Sequence, residues 1–226
     1  MKLTYIHHSC FLLETESASL LFDYTEGALP PFAVNKSLYI FSTHRHGDHF
    51  SEKIFSLGQG VANIQYLLSF DIPKERIPDV LEKNVHFLEI NSSYLVGELK
   101  ILTFKSTDEG IALVIEVEGK TIYYAGDLNH WHWEGEPEWW NLQMAKDYLA
   151  EVEKLPKKLD LAFVPVDPRL GKSFSLGSVE LLAHSAVSLL VPMHFWGDFS
   201  VCEKLQETTS TKILQITHTN QTWRLS

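Results

Sequence analysis

Four side chains able to bind a metal ion, His44, His46, Asp48 and His49, fall within six residues of the stretch Thr43-His44-Arg45-His46-Gly47-Asp48-His49. The stretch follows the apolar run Leu38-Tyr39-Ile40-Phe41, which reads as a strand, so the cluster sits at a strand's mouth. His44 and His46 point the same way while the chain stays extended, and Gly47 permits a turn that brings Asp48 and His49 to a second point. The spacing suits two neighbouring ions. Mixed imidazole and carboxylate donors suit borderline metals, with zinc expected first and manganese or iron as alternatives, at one or two ions per chain. The plain alternative is a polar loop with incidental histidines, but dense His/Asp clusters are ordinarily ligand sets.

This pattern resembles the HxHxDH motif of the metallo-β-lactamase superfamily, whose members share an αββα sandwich and are mostly metal-dependent hydrolases. The resemblance runs over nearly the whole chain, taking in Asp23 after Leu20-Leu21-Phe22, Tyr123-Tyr124-Ala125-Gly126-Asp127-Leu128 and Val191-Pro192-Met193-His194 in the family's order. Ile6-His7-His8-Ser9-Cys10-Phe11 is similar to the N-terminal pattern of the branch that contains ascorbate-phosphate lactonase-like proteins and many uncharacterised hydrolases.

The resemblance implies an α/β fold, a four-layer αββα metallo-β-lactamase-like sandwich built from two similar halves. It puts His44 and His46 on one metal, and Asp48, His49 and His194 on a second, with Asp127 bridging both. The physical logic agrees: cations roughly 3.5 to 4 Å apart need a shared carboxylate and a bridging hydroxide to offset their repulsion. Asp48 is also a catalytic candidate, able to orient the hydroxide or pass protons. His8 is read as lining the site or contacting substrate, with a structural hydrogen-bonding role as its alternative, and Asp23 as orienting nearby loops or a ligand.

One departure from the family pattern lies in Phe104-Lys105-Ser106-Thr107-Asp108-Glu109-Gly110, where Ser106 falls at the position of a third histidine for the first metal. A serine hydroxyl is a poor ligand. Asp108 is the preferred substitute from the same loop; the alternative is a capped turn in which Asp108 bonds backbone amides, or a mononuclear protein.

Beyond the ligands, residues 129–140 hold four of the chain's six tryptophans directly after Asp127. Trp131 and Trp133 are candidates for a substrate-pocket wall, the alternative being that they fasten the loop to the core. Arg169, in Val166-Asp167-Pro168-Arg169, could pair a substrate carboxylate or phosphate, or form a salt bridge with Asp167.

The elements that must position these residues read as follows. Leu3–His7, Phe11–Glu14 and Ser19–Phe22 are strands, with Asp23 ending the hairpin, and Ser51–Leu57 is a short helix capped by Ser51. Ile64–Ser69 and Val85–Ile90 are strands around a helical segment near Lys74–Lys83. Lys100–Lys105, Ile111–Glu118 and Thr121–Ala125 follow as strands, the last two joined by a hairpin turn at Glu118-Gly119-Lys120. A helix over Trp140–Leu155 should bury Leu142, Ala145, Leu149 and Val152. Strand Leu159–Val164, a helix over Ser178–Ser188 capped by Ser178 and presenting Leu182, Ala186 and Leu189, a helix over Ser200–Glu207, and strands Lys212–Thr217 and Gln221–Leu225 complete the chain. A weak internal repeat sets Leu12 through Asp23 beside Val114 through Asp127, each a hairpin that delivers an aspartate. No domain boundary is visible, so residues 1–226 are expected to form a single domain.

Composition narrows the function. The net charge is −10, which repels phosphate backbones, so nucleic-acid partners are disfavoured and a small-molecule substrate is expected. No apolar run approaches the roughly 18 residues of a membrane helix, and the N-terminus lacks a signal-peptide core, so a cytoplasmic protein is expected. Two cysteines, Cys10 and Cys202, exclude a disulfide framework. Together these readings lead to a metal-dependent hydrolase in which metal-bound hydroxide attacks a small-molecule ester, lactone, amide or phosphoester. The alternative is a metal-binding or ligand-sensing protein of the same fold with little turnover, the third histidine being replaced; redox chemistry at a di-iron site is a third.

Overall fold

A computed structural model describes residues 1–225, which divide into two compact units, one spanning Met1–Glu89 with the segment from His218 onward, the other Ile90–Thr217.

The first unit is a mixed sheet. Its strands are β1 (Lys2–His7), β2 (Cys10–Glu14), β3 (Ala18–Phe22), β4 (Ser37–Ser42), β5 (Ile64–Ser69) and β6 (Val85–Leu88), with a last strand, β13 (Thr222–Arg224), added beside β1. The β1–β2–β3 meander is antiparallel, and β3 through β6 run parallel. Every strand except β2 and β13 therefore ends at one edge, where His8, Asp23 and the Thr43–His49 stretch emerge. Leu12, Leu21, Leu38, Ile40, Tyr66 and Leu68 alternate into one core, which Phe50 and Ile54 close from the segment after the metal motif.

That segment is the expected short helix in 3₁₀ form, Glu52–Ser56, with Lys53 N donating to the Ser51 hydroxyl. The helix expected near Lys74–Lys83 is instead two 3₁₀ turns, Lys74–Arg76 and Asp79–Asn84. Pro78 explains the break: it offers no N–H and disfavours the helical region for Ile77, which sits at φ −89°, ψ 127°.

In the second unit the sheet order is β12 (Ala186–Met193), β11 (Lys158–Pro165), β10 (Lys120–Tyr124), β9 (Ile111–Val117), β8 (Leu99–Lys105) and β7 (Ser93–Val96). The hairpin β9 (Ile111–Val117) and β10 (Lys120–Tyr124) turns through Glu118 and Gly119, both at positive φ, as a two-residue hairpin matched to strand twist requires. β8 (Leu99–Lys105) pairs with β9, and β7 (Ser93–Val96), a strand not foreseen from the sequence, forms the edge. Parallel strands β11 (Lys158–Pro165) and β12 (Ala186–Met193) follow β10, so this unit repeats the antiparallel-then-parallel order of the first.

Three α-helices belong to this unit: α1 (Glu138–Val152), α2 (Leu176–His184) and α3 (Ser200–Thr208). The buried stripe of α1 differs from the one expected. Leu142 and Leu149 are exposed, and the inward side is Asn141, Tyr148, Glu151 and Val152. Polar anchors set this rotation: the Asn141 amide bonds both backbone groups of Trp133, and the Tyr148 hydroxyl donates to Gly177 O at 2.7 Å.

The α2 helix also starts and stops earlier than read, leaving Ser178 inside it and Ala186 and Leu189 in β12. Ser185 donates its hydroxyl to Pro156 O and Ala186 its N–H to Lys157 O, which draws the chain into pairing with β11. Lys212–Thr217 is not a strand; it makes one bridge, Ile213 to Leu190. Among the described residues no helix is long and apolar enough to cross a membrane.

Candidate metal centre

In the first unit a buried carboxylate organises the donors. β3 runs straight into Asp23, whose N–H still pairs with Phe41 O and whose φ is 44°. Its Oδ1 accepts from Thr43 N, and its Oδ2 accepts from the Thr43 hydroxyl, each at 2.8 Å. His49 Nδ1 lies 2.7 Å from Asp23 Oδ2. A carboxylate cannot donate, so His49 carries its proton on Nδ1 and presents the Nε2 lone pair, the form a metal needs. His46 O accepts from both His49 N and Phe50 N, closing the expected turn, although Gly47 is not at positive φ and has open space around its Cα, so the turn does not require a glycine there.

Around this anchor the other rings gather. His44 and His46 have ring centroids 4.7 Å apart, and His44 and His49 are 4.2 Å apart. His8, held at φ 49° in the turn after β1, places Nε2 3.3 Å from Asp48 Oδ2, and His49 Nε2 is 3.8 Å from the same oxygen. Ligand atoms of His8, Asp48 and His49 all lie within 4.8 Å of one another, as do those of His44 and His46. His8 thus joins the donor set, a place that sequence reasoning did not give it.

Electrostatics favours the same protonation states. Burial, then the neighbouring His49, pushes the His44 imidazole down to about 3, so the ring is neutral at pH 7. For Asp48, burial opposes ionisation, but the His8 hydrogen bond and the His49 ring outweigh it and hold the carboxyl well below its usual range.

The second unit carries its own donors at the ends of β8, β10, β11 and β12. After β10, Gly126 turns at φ 52° and projects Asp127, while Trp131 Nε1 donates to Asp127 O at 2.9 Å. His194, directly after β12 and at φ 59°, has Nε2 3.6 Å from Asp127 Oδ1. Its Nδ1 lies 3.1 Å from Asp167 Oδ2, which fixes the tautomer as Asp23 does for His49. Asp167 follows β11, is fully buried, and is held ionised against its burial by His194 and Arg169.

The loop after β8 shows what occupies the missing histidine's place. Ser106 is buried, and its hydroxyl accepts from Asp108 N at 3.1 Å, so the serine shapes the turn. Thr107 Oγ1 donates to Asn129 O and accepts from Asn129 N, bolting this loop to the segment after Asp127. Carboxylate oxygens of Asp108 and Asp127 lie within 4.8 Å of each other.

Trp131 is buried, stacks on Trp133 with ring centroids 6.3 Å apart and planes 7° apart, and meets His194 edge-on at 5.4 Å. Trp133 is half-buried. Arg169 donates from N, Nε and Nη2 to Asp167, and its guanidinium lies 4.7 Å from the Trp196 ring centre and 5.7 Å from that of Trp133. The salt bridge that sequence reading offered as the alternative for Arg169 is therefore present. Asp167 itself was read only as that partner; an aspartate directly after an apolar strand, the context of Asp127, was the signal available.

The donor set fits a borderline divalent ion: imidazoles fixed by carboxylates with Nε2 presented, and ionised oxygens beside them. The signature of the family described as "Beta-lactamase superfamily domain" matches residues 2–136, more than half the chain. The chain belongs to this family. A UPF0173 metal-dependent hydrolase of Desulforamulus reducens is 28% identical over 218 residues, covering 86% of this chain and 84% of the relative. Among solved structures, the metallo-beta-lactamase fold protein YhfI of Bacillus subtilis superposes with TM-score 0.66 at 15% identity, covering 99% of each chain. Igni18, a metallo hydrolase of Ignicoccus hospitalis, gives 0.64 at 17% identity, covering 100% of this chain and 99% of that one. These two structural likenesses show the shared α/β fold.

Proposed function

We propose that the chain is a metal-dependent hydrolase of small-molecule esters, lactones, amides or phosphoesters, with His44, His46, Asp48 and His49 as the metal donors of the first unit and Asp127 and His194 as those of the second. Asp108 is the further donor of the second unit in place of the absent histidine, and zinc is the metal favoured by these donors. The observation that carries this reading is the pair of buried histidines, His49 and His194, each with Nδ1 bound by a buried carboxylate. A neutral ring fixed in that tautomer is built to give Nε2 to an ion.

When bound, such ions supply Lewis acidity and water acidified toward neutral pH. The protein's own groups do the rest. Asp48, kept ionised by His8, accepts a proton at its carboxylate, and His8 Nε2 steadies the oxygen that receives it. Trp133, half-buried beside Trp131, offers a flat apolar wall for the substrate.

Metal analysis of freshly purified protein, paired with a screen of esters, lactones, amides and phosphodiesters, tests the reading. Bound zinc with metal-dependent turnover of any class supports it; absence of bound metal after zinc loading overturns it. A second reading, a metal-binding protein with little turnover, is favoured by Ser106, whose hydroxyl serves the loop. Full metal occupancy without turnover across the panel would select it.

A further inference from the structure

Asp167, which fixes the His194 tautomer, also accepts from two further side chains, Arg169 and Trp196. Its Oδ1 accepts from Arg169 N and Nε at 2.9 Å each. Its Oδ2 accepts from His194 Nδ1 at 3.1 Å, from Trp196 Nε1 at 3.3 Å, and from Arg169 Nε and Nη2. One oxygen thus holds the ligand histidine, a tryptophan and the guanidinium together. A carboxylate has about four lone-pair sites, so these donors saturate it and fix its rotamer.

The guanidinium is fixed in turn. Arg169 lies over the faces of Trp196 and Trp133, and Trp133 stacks on Trp131, which touches His194 edge-on. His194 also contacts Trp196 edge-on at 5.5 Å. The chain of contacts is closed: tryptophan loop, arginine, carboxylate, histidine and back to the tryptophan loop.

We propose that Asp167 is a positioning residue that holds His194 with Nε2 toward Asp127, and that Arg169, clamped by Trp133 and Trp196, acts through Asp167 to couple the tryptophan loop to metal affinity. The proposal rests on the assignment of His194 as a ligand. His194 and Trp196 both sit at positive φ, an uncommon conformation for such residues, and both side chains bond the same Asp167 oxygen.

The experiment measures zinc affinity by competition with a chelator for wild type, His194→Ala, Asp167→Asn, Arg169→Met and the double variant D167N/R169M. Long-range ¹H–¹⁵N spectra of the zinc-free proteins report the His194 tautomer. Asp167→Asn should weaken zinc by about 10- to 100-fold and lose the single Nδ1–H tautomer. Arg169→Met should weaken zinc by about threefold or more in the wild-type background, yet add nothing in the D167N background, the signature of action through one residue.

If His194→Ala leaves zinc affinity unchanged, the ligand assignment itself fails. If it weakens zinc while Asp167→Asn stays within about twofold of wild type with its tautomer intact, the positioning role is overturned. Additive effects of the two substitutions overturn the coupling. Should D167N not fold, Arg169→Met carries the test: loss of affinity together with a disturbed His194 tautomer supports the proposal, and neither change overturns it.

Discussion

The hairpin β2–β3 and the hairpin β9–β10 each deliver an aspartate from the same place in a sheet, and the two aspartates do different work. Phe22 is in register with Phe41, and Asp23 N then pairs with Phe41 O. Tyr124 is likewise in register with Phe163, and the next N–H, that of Ala125, pairs with Phe163 O. The counterpart of Asp23 is therefore Ala125, and Asp127 stands two residues further out. Held at the strand's end, Asp23 turns back to bind Thr43 and His49. Carried past it by Gly126, Asp127 is released from the strand and meets His194. Two residues of extra chain separate a carboxylate that fixes a histidine's tautomer from one proposed here as a ligand.

The sharpest way to break this comparison is to remove each aspartate. Asp127→Ala is expected to strip bound metal while the fold survives, whereas Asp23→Ala leaves the His49 and Thr43 donors buried without an acceptor and should cost about 3–5 kcal/mol of stability. Metal analysis and urea unfolding of both variants decide. Unchanged metal content in the Asp127 variant would reverse the assignment.

Next in size is a pH effect on the metal-free protein. The His44 imidazole is pushed from 6.5 down to about 3 in the fold. Above the unfolded value both states are neutral and His44 contributes its full stability; as pH falls from about 6.5 toward about 3, only the unfolded chain takes up the proton, so stability is lost across that window. Urea midpoints at pH 7 and pH 4 should differ less in His44→Gln than in wild type, and an equal drop in both would assign the loss elsewhere.

A smaller change is expected at Asp108. Asp108→Ala should lower the metal-to-protein ratio toward about one with melting temperature unchanged, since the exposed side chain is not what shapes the loop. Two tightly held ions in that variant would remove Asp108 from the ligand set. The mildest test concerns Trp133, whose replacement by Ala should raise KM by about tenfold to a hundredfold for a bulky ester and less for a small one, with zinc affinity lowered no further than by Arg169→Met. Equal losses on both esters with a lowered melting temperature would make the ring a fastener only. Trp131 is the poorer probe: its burial and its bond to Asp127 O tie it to stability.

The parts of the site that were legible in the sequence are those set by local chain geometry. His44 to His49 could be placed because an apolar strand and the residue types lie together, and the Glu118-Gly119 turn because Gly119 tolerates positive φ. The place of His8 among the donors and the hold of Asp167 on His194 were hidden, since each depends on a partner brought in by sheet pairing and not by neighbours in sequence. The α1 stripe misled for a related reason: its leucines follow helical periodicity, but polar bonds from Asn141 and Tyr148 chose the face. β7 was missed because four residues of mixed polarity carry little periodic signal.

The pairing of β13 with β1 has a consequence for biosynthesis. Met1 N reaches Leu225 O at 3.1 Å across 224 positions of sequence, and β1 meets β13 through Lys2–Arg224, Leu3–Trp223 and Thr4–Thr222. On the ribosome, at about 5–20 residues per second, the outer edge of β1 waits roughly 10 to 45 s for its neighbour. An open edge of that kind can recruit a foreign strand. Nascent chains halted before His218 are thus the form of this protein most exposed to mispairing, and the one a chaperone would be expected to hold.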